Sequence, residues 1–125
     1  MPLTADNPAV LLVEDEWLLR MELADALSEA GYNVTESATG EDALARLSKG
    51  ESFDLLVTDI RLTGKLSGWD VAAAWRLQAS ALPVVYVSAN SPDDPRRVAS
   101  SIFLAKPVVL EKFLAACGEL LSARS

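Results

Sequence analysis

Short apolar segments alternate along the chain with longer segments of helical periodicity. The apolar segments predict five β-strands, at Ala9–Val13, Asn33–Thr35, Leu55–Thr58, Val84–Ser88 and Ile102–Leu104. The first, third and fourth are nearly continuous runs of apolar residues rich in Val and Leu, which is typical of strands covered on both faces.

The longer segments have apolar residues at helical spacing and predict four helices. The first ends before Gly31, a common stop residue, and the next two are predicted at Gly40–Leu47 and Trp69–Leu77. The first and last helices each have an apolar stripe, formed by Leu19, Leu23, Ala26, Leu27 and Ala30 in the first and by Leu110, Phe113, Leu114, Cys117 and Leu121 in the last.

This alternation predicts an α/β fold with a mostly parallel sheet and helices on both faces. Right-handed crossovers and short loops favour a doubly wound, flavodoxin-like sheet of five strands in the order 2-1-3-4-5. The sequence has no internal repeat, low-complexity segment or linker, so we expect a single domain over residues 1–125.

The segment between the fourth and fifth strands departs from the pattern. It contains Pro92 and Pro95, which do not fit inside a helix, although Pro95 can open a short one that runs to Ser101. We therefore expect an additional helix here, the fourth of five in chain order, that is shortened to about one to two turns or replaced by an irregular segment.

Composition limits the classes of binding partner and the cellular compartments that we expect for this chain. The net charge is −7, with 11 basic and 18 acidic residues, which disfavours binding to nucleic acid. No apolar run approaches the ~18 residues of a membrane-spanning helix, and Met1–Pro8 lacks the basic start and apolar core of a secretory signal. Cys117 is the single cysteine, so we expect a buried, reduced thiol and a cytoplasmic location.

The chain contains no histidine. Histidine is therefore excluded as a general base, a metal ligand or a phosphoryl carrier within the chain. If phosphoryl transfer from a phosphohistidine occurs here, the histidine belongs to another protein.

Polar residues follow four of the predicted strands at their carboxyl ends. Glu14-Asp15-Glu16 follows the first, Asp59 the third, Ser88 the fourth, and Lys106 lies after the fifth. Each signal alone is weak, because acidic loops often complement a helix N-terminus and Asp or Ser often caps the next helix. In a doubly wound sheet, however, these strand ends line one edge beside the topological switch point, where ligands bind.

The residue types at this edge suit one chemistry. Glu14, Asp15 and Asp59 would crowd three carboxylates together, which favours a neutralising cation, and Mg²⁺ prefers such oxygen ligands. A carboxylate can attack a phosphoryl group to form an aspartyl phosphate, with a cationic side chain and a hydroxyl stabilising the developing charge. Lys106 and Ser88 are of those types, so the set predicts magnesium-dependent phosphoryl transfer to Asp59.

With these residues the sequence resembles the receiver domains of two-component response regulators, of the single-domain, chemotaxis-regulator-like type. The resemblance covers nearly the whole chain. Four segments carry it, Val10-Leu11-Leu12-Val13-Glu14-Asp15, Asp54-Leu55-Leu56-Val57-Thr58-Asp59, Pro83-Val84-Val85-Tyr86-Val87-Ser88-Ala89 and Phe103-Leu104-Ala105-Lys106-Pro107.

The resemblance implies a role for each matching position. Asp59 is the phosphoacceptor, and the implied Mg²⁺ ligands are Glu14, Asp15, Asp59 and the backbone carbonyl of Arg61. Lys106 pairs with the phosphoryl oxygens, and a cis bond to Pro107 usually follows. The implied switch residues are Ser88 and Phe103. The resemblance also implies that Ala89 leaves room for the phosphoryl group. It further implies that Arg61 and Asn90 influence the lifetime of the phosphorylated state.

Three features depart from the family pattern. The loop after Asp59 lacks the usual proline and is about one residue longer than the common pattern. Phe103 has no hydroxyl with which to stabilise either rotamer. The shortened fourth helix predicts an atypical surface where the family usually presents its output face.

The resemblance implies a signalling switch rather than a turnover enzyme. The donor is a histidine kinase or a histidine phosphotransfer protein, and the downstream protein is unknown. We expect a stand-alone regulator, and the alternative is a domain cut from a larger protein. On the first helix, Trp17, Leu18 and Met21 lie largely away from the core stripe and are candidates for donor docking. The alternative is that Leu18 and Met21 fold back onto the rim of the core.

Other functions require residues or properties that differ from this interpretation. A pseudo-receiver that keeps the fold but acts as a phosphorylation-independent interaction module is the main alternative. A haloacid-dehalogenase-type phosphohydrolase places a second aspartate where this chain has Arg61. A flavodoxin-like cofactor site is disfavoured because Glu14-Asp15-Glu16 would repel an anion.

Overall fold

The structure is a computed structural model that describes residues 7–89 and 94–124. Within these residues, five parallel strands form one sheet in the predicted order, β2-β1-β3-β4-β5. The strands are β1 (Ala9–Val13), β2 (Asn33–Ser37), β3 (Leu55–Asp59), β4 (Val84–Ser88) and β5 (Ser101–Ala105). The helices are α1 (Trp17–Glu29), α2 (Gly40–Ser48), α3 (Gly68–Gln78) and α4 (Leu110–Arg124).

Both faces of the sheet are covered, and successive strand residues face opposite layers. On one face, β-strand residues such as Leu11 and Leu56 pack with Trp69 and Trp75 of α3. On the other, Val10 and Leu12 belong to a second buried cluster whose helical members are Leu23, Ala24, Leu27, Phe113 and Cys117. This two-sided burial explains why the central strands read as continuous apolar runs.

The predicted helical stripes are correct at their centres, and at their ends Leu19 and Leu121 pack partly buried against the core whereas Leu110 is exposed. Leu23, Leu27, Phe113 and Cys117 are fully buried or nearly so. Ala30, in contrast, is the exposed C-cap residue of α1 rather than a core position. β2 also extends two residues beyond the prediction, because Glu36 and Ser37 pair with β1 despite being polar.

The sequence predicts either a short helix or an irregular segment between β4 and β5, and the structure has the irregular segment. Its described residues, 94–100, form a turn rather than a helix, so the short helix predicted from Pro95 is not present there. Ser100 has a positive φ of 54°. Asn90 and Pro92, which the sequence interpretation also used, lie outside the described residues.

The sheet and α3 hold this irregular connection in place. The hydroxyl of Tyr86, a buried residue of β4, accepts a hydrogen bond from the Val98 amide at 3.2 Å. The guanidinium of Arg76 on α3 donates to the carbonyls of Ala99 and Ser100. Side chains therefore perform the anchoring that backbone hydrogen bonds perform inside a helix.

Side chains cap the first turns of α2 and α3. Ser67 accepts from the Asp70 amide, and the Asp70 carboxylate accepts in return from the Ser67 amide, which forms a capping box at the start of α3. Thr39 caps α2 in the same way through the Asp42 amide. No helix among the described residues is long and apolar enough to cross a membrane.

Candidate phosphoacceptor and metal site

The parallel sheet brings the predicted polar residues to its carboxyl edge. Asp59 is the last residue of β3 and Ser88 the last residue of β4, while Glu14 directly follows β1 and Lys106 directly follows β5. The register pairs Val13 with Thr58 and Ser88 with Ala105, so these strands end at nearly the same level. The four side chains come from positions far apart in the sequence and meet because the strands are parallel neighbours.

Asp59 is buried at this edge, with 5% of its surface exposed. One carboxylate oxygen, Oδ1, accepts hydrogen bonds from the amides of Ile60 at 2.6 Å and Arg61 at 3.2 Å. The other, Oδ2, accepts from Lys106 Nζ at 2.7 Å. These contacts hold the carboxylate in one orientation at the carboxyl edge of the sheet.

Glu14 and Asp15 complete an acidic cluster with Asp59. One carboxylate oxygen from each of the three residues lies within 4.8 Å of the others. Glu14 is 1% exposed, and its Oε2 accepts from the Glu16 amide at 3.1 Å. Its Oε1 is buried without a hydrogen bond among the described residues, although Lys106 Nζ is 3.5 Å away.

The electrostatics reflect this crowding. Burial, followed by the charge of Asp59, raises the pKa of Glu14 to about 7. Burial also acts to raise the pKa of Asp15, but hydrogen bonds from Thr63 and with Glu14 outweigh it and lower that pKa below its ordinary value. Burial acts to lower the pKa of Lys106, but the hydrogen bond to Asp59 and the surrounding carboxylates raise it instead.

The cluster fits a divalent cation. All of its donors are carboxylate oxygens, which suit Mg²⁺ and other hard cations. Glu14 Oε1 is a buried polar atom that lacks a hydrogen bond, and a bound cation is one way to satisfy such an atom. The residues that would hold the ion are Glu14, Asp15 and Asp59.

Of the remaining predicted site residues, Ser88 and Arg61 lie near Asp59, and Phe103 lies farther away on β5. Ser88 is buried at 2% exposure, and its carbonyl accepts from the Lys106 amide at 3.0 Å. The Arg61 amide is bonded to Asp59, whereas the metal-binding role of its carbonyl stays a prediction. Phe103 is partly buried against the α3-side core, opposite Tyr86 in the β4–β5 register. The Lys106–Pro107 bond is cis.

Two residues at the site were not identified from the sequence. Thr63, in the β3–α3 loop, donates its hydroxyl to Asp15 Oδ2 at 2.7 Å. Arg20 of α1 donates to the carbonyl of Glu14 at 2.7 Å and to the Glu36 carboxylate at 3.1 Å. For Thr63, the available signal was a hydroxyl residue in a loop that lacks the usual proline. For Arg20 the signal was weak, because an arginine on a helix is ordinarily solvated.

The apolar residues predicted on α1 are exposed. Trp17 and Leu18 are each 61% exposed and Met21 is 44% exposed, so they do not pack onto the rim of the core. Leu18 and Met21 line one side of a groove of about 600 Å³ whose other side includes Lys106, Pro107 and Val108. The groove therefore reaches from α1 to the lysine that contacts Asp59.

Fold and site together define a class of protein, a doubly wound α/β domain with an acidic cluster and a lysine at the carboxyl edge of its sheet. Residues 10–117 match the response regulator receiver domain family. The chain belongs to this family, the receiver domains of two-component response regulators, which confirms the resemblance drawn from the sequence.

Two solved structures show how close the similarity is. A response regulator receiver protein from Sinorhizobium medicae is 32% identical, with a TM-score of 0.91, and the match covers 97% of this chain and 99% of that one. The response regulator protein TrrA from Thermotoga maritima, solved in complex with Mg²⁺-BeF, is 26% identical with a TM-score of 0.82; coverage is 90% of this chain and 98% of that one.

Longer curated relatives match as well. The transcriptional regulatory protein TcrA of Mycobacterium tuberculosis is 33% identical over 110 residues, which are 85% of this chain and 43% of that protein. The transcriptional regulatory protein AfsQ1 of Streptomyces coelicolor is 34% identical over 86 residues, 69% of this chain and 37% of that protein. The chain spans less than half the length of these relatives.

Proposed function

We propose that the chain is a phosphoacceptor switch. In the proposed reaction, a phosphoryl group moves from a phosphohistidine on a partner protein to Asp59, and the modified domain then presents a changed interaction surface. The supporting observation is the environment of Asp59, a buried carboxylate with Lys106 Nζ 2.7 Å from one oxygen and two further carboxylates beside it.

The chain's own residues suit each part of this transfer. An Asp59 oxygen forms the bond to phosphorus while the bond from phosphorus to the donor imidazole nitrogen breaks. Lys106 neutralises negative charge on the phosphoryl oxygens, and Ser88 offers a hydroxyl from the end of β4. The amides of Ile60 and Arg61 keep the acceptor carboxylate oriented. A bound Mg²⁺ would supply positive charge that screens the carboxylates from the incoming phosphoryl group.

The same proposal includes the partners. The donor is a histidine kinase or a histidine phosphotransfer protein, and the exposed Trp17, Leu18 and Met21 beside the groove are the docking surface. The downstream partner is a protein rather than nucleic acid, in agreement with the net charge of −7. The chain acts in the cytoplasm as a switch that is modified and reset, without turnover of a separate substrate.

TrrA supports the metal part of the proposal. It was solved with Mg²⁺-BeF, and its fold matches that of this chain over nearly its whole length. The acidic cluster of this chain, in which Glu14 Oε1 has no hydrogen bond among the described residues, offers the ligand types that Mg²⁺ takes.

The test is mass spectrometry of the intact protein after incubation with acetyl phosphate, with and without Mg²⁺. We expect the wild-type protein to gain one phosphoryl group only with Mg²⁺, and Asp59→Ala to gain none. Asp25→Ala, which removes an exposed carboxylate of α1, is the matched control and should be modified like the wild type.

A second measurement is needed because acetyl phosphate can be a poor donor and rapid hydrolysis can remove the phosphoryl group before it is detected. Beryllofluoride with Mg²⁺ should shift the amide spectrum of the wild-type protein around Asp59 and leave that of Asp59→Ala unchanged. If the wild-type protein neither gains the phosphoryl group nor responds to beryllofluoride, the proposal of a phosphoacceptor switch is wrong. The pseudo-receiver alternative then replaces it.

A further inference from the structure

The β3–α3 loop contacts the acidic cluster through one side chain that the proposed reaction does not use. Thr63 is exposed, yet its hydroxyl donates a hydrogen bond of 2.7 Å to Asp15 Oδ2, across 48 positions of sequence. Asp15 is the member of the cluster that is more open to solvent than Glu14 or Asp59. Its carboxylate therefore depends on this contact for a fixed orientation more than its buried neighbours do.

Contacts on both sides of Thr63 hold the loop in place. On the near side, the amides of Ile60 and Arg61 bind the carboxylate of Asp59. On the far side, the amide of Lys65 donates to Glu41 of α2 at 3.0 Å. The hydroxyl of Thr63 is thus presented to Asp15 by a loop that is anchored at two points, rather than by a freely moving chain.

A carboxylate has two oxygens, and a hydroxyl that holds one of them leaves the other free to bind a cation. Partners of this kind orient metal ligands, and their loss commonly weakens metal binding by about 10- to 100-fold. The 1% exposed Oε1 of Glu14 has no hydrogen bond among the described residues and only the Lys106 ammonium group 3.5 Å away, which supports a cation in this cluster.

We propose that Thr63 is a positioning residue for divalent-cation binding, which acts by fixing the Asp15 carboxylate through its hydroxyl. This inference rests on the proposed function, since it concerns the same metal site. A proline at this position could not make the contact, because its side chain has no hydroxyl.

The test compares Thr63→Val, which removes the hydroxyl at nearly constant shape, with Thr63→Ser, which keeps it. Affinity for Mg²⁺, and for Mn²⁺ as a second probe, is measured by isothermal titration calorimetry on the full chain. We expect at least a tenfold loss of affinity in Thr63→Val and less than a threefold change in Thr63→Ser. Thr35→Val, a matched substitution on β2, should bind like the wild type.

Melting in EDTA separates positioning from a structural role. Because Thr63 is exposed, its hydrogen bond to Asp15 contributes little to metal-free stability, so Thr63→Val should lower the melting temperature in EDTA only slightly while the affinity falls at least tenfold. Equal or tighter metal binding by Thr63→Val would overturn this inference while leaving the metal site intact. Equal weakening in Thr63→Ser would also overturn it. Failure of the wild-type protein to bind either cation would instead overturn the proposed metal site, and this inference with it.

Discussion

At the scale of single residues, Lys106 balances the charge of the site. Its ammonium group lies 2.7 Å from Asp59 Oδ2, 3.5 Å from Glu14 Oε1 and 3.9 Å from Glu16 Oε1. Its side chain is 23% exposed, so water screens these contacts only in part. A single positive charge thus faces three carboxylates when no cation is bound.

Replacement of this lysine tests that balance. We expect Lys106→Met to lower the free energy of unfolding in EDTA by about 1–3 kcal/mol, because buried carboxylates lose their counter-charge. Mg²⁺ should restore more stability to this variant than to the wild type, since the ion replaces the missing charge. Urea unfolding with EDTA or Mg²⁺ measures both effects.

Lys112→Met is the matched control, because Lys112 is an exposed residue of α4. It should unfold like the wild type under both conditions. If Lys106→Met were as stable as Lys112→Met in EDTA, the lysine would not carry the charge balance described here.

At the scale of elements, one small residue allows the start of α3 to lie against Asp59. Gly68 is the first residue of α3, and its amide donates to the Ile60 carbonyl at 2.8 Å. A Cβ at this position would lie 2.1 Å from the Asp59 carbonyl oxygen and 2.8 Å from the Ile60 Cα. Both neighbours are backbone atoms, so a side chain here requires the helix or the strand end to move.

Two glycine-to-alanine substitutions therefore have opposite expected signs. Gly68→Ala should lower the free energy of unfolding by at least ~3 kcal/mol, because overpacking against backbone displaces an element. Gly118→Ala, inside α4, should raise it by about 0.5–1 kcal/mol, because alanine favours helix and the nearest atom is 4.0 Å away. Chemical denaturation checks both, and equal effects would contradict the close approach at Gly68.

The β4–β5 connection is the other element-scale feature. The sequence allows a short helix here, but residues 94–100 are irregular. They are held by hydrogen bonds to Tyr86, from Arg76, and from Arg97 to Ser101. Tyr86 also packs against Trp69 of α3, with ring centroids 4.7 Å apart. This side-chain anchoring links the connection to the same helix that begins beside Asp59.

At the scale of the whole molecule, we expect the acidic cluster to couple stability to pH and to metal binding. The pKa of Glu14 is raised from 4.5 to about 7. A raised carboxyl pKa means that its contribution to stability is present below the unfolded value of 4.5 and is lost as the pH rises through about 7. A cation bound to the deprotonated cluster opposes this loss and stabilises the native state by mass action.

Melting temperatures at two pH values test this coupling. In EDTA the protein should melt at a lower temperature at pH 8 than at pH 6 because of Glu14. The increase produced by Mg²⁺ should be larger at pH 8, where protons no longer compete for the carboxylate. NaCl at the same ionic strength is the control and should not reproduce the increase. A metal effect that is equal at both pH values would contradict the assignment to Glu14.

Much of the fold was determined by the sequence alone. Buried strands such as β3 and β4 need apolar residues on both faces, so Leu55–Thr58 and Val84–Ser88 were visible as apolar runs and were predicted nearly to the residue. The strand order followed from chain connectivity and handedness. The placement of Asp59 and Ser88 at one edge was also predictable, because both occupy strand ends that the topology brings together, whereas their chemical roles stay predictions.

Only the tertiary structure decided the contacts between loops. The bond from Thr63 to Asp15 and the close approach of Gly68 to Asp59 join segments that are distant or irregular, and no periodicity marks such contacts. The connection over residues 94–100 was left open for the same reason, since its conformation depends on hydrogen bonds from Tyr86 and Arg76 rather than on its own propensities. Local patterns determine strands and helices through burial, whereas loop geometry depends on which polar partners the folded core happens to present.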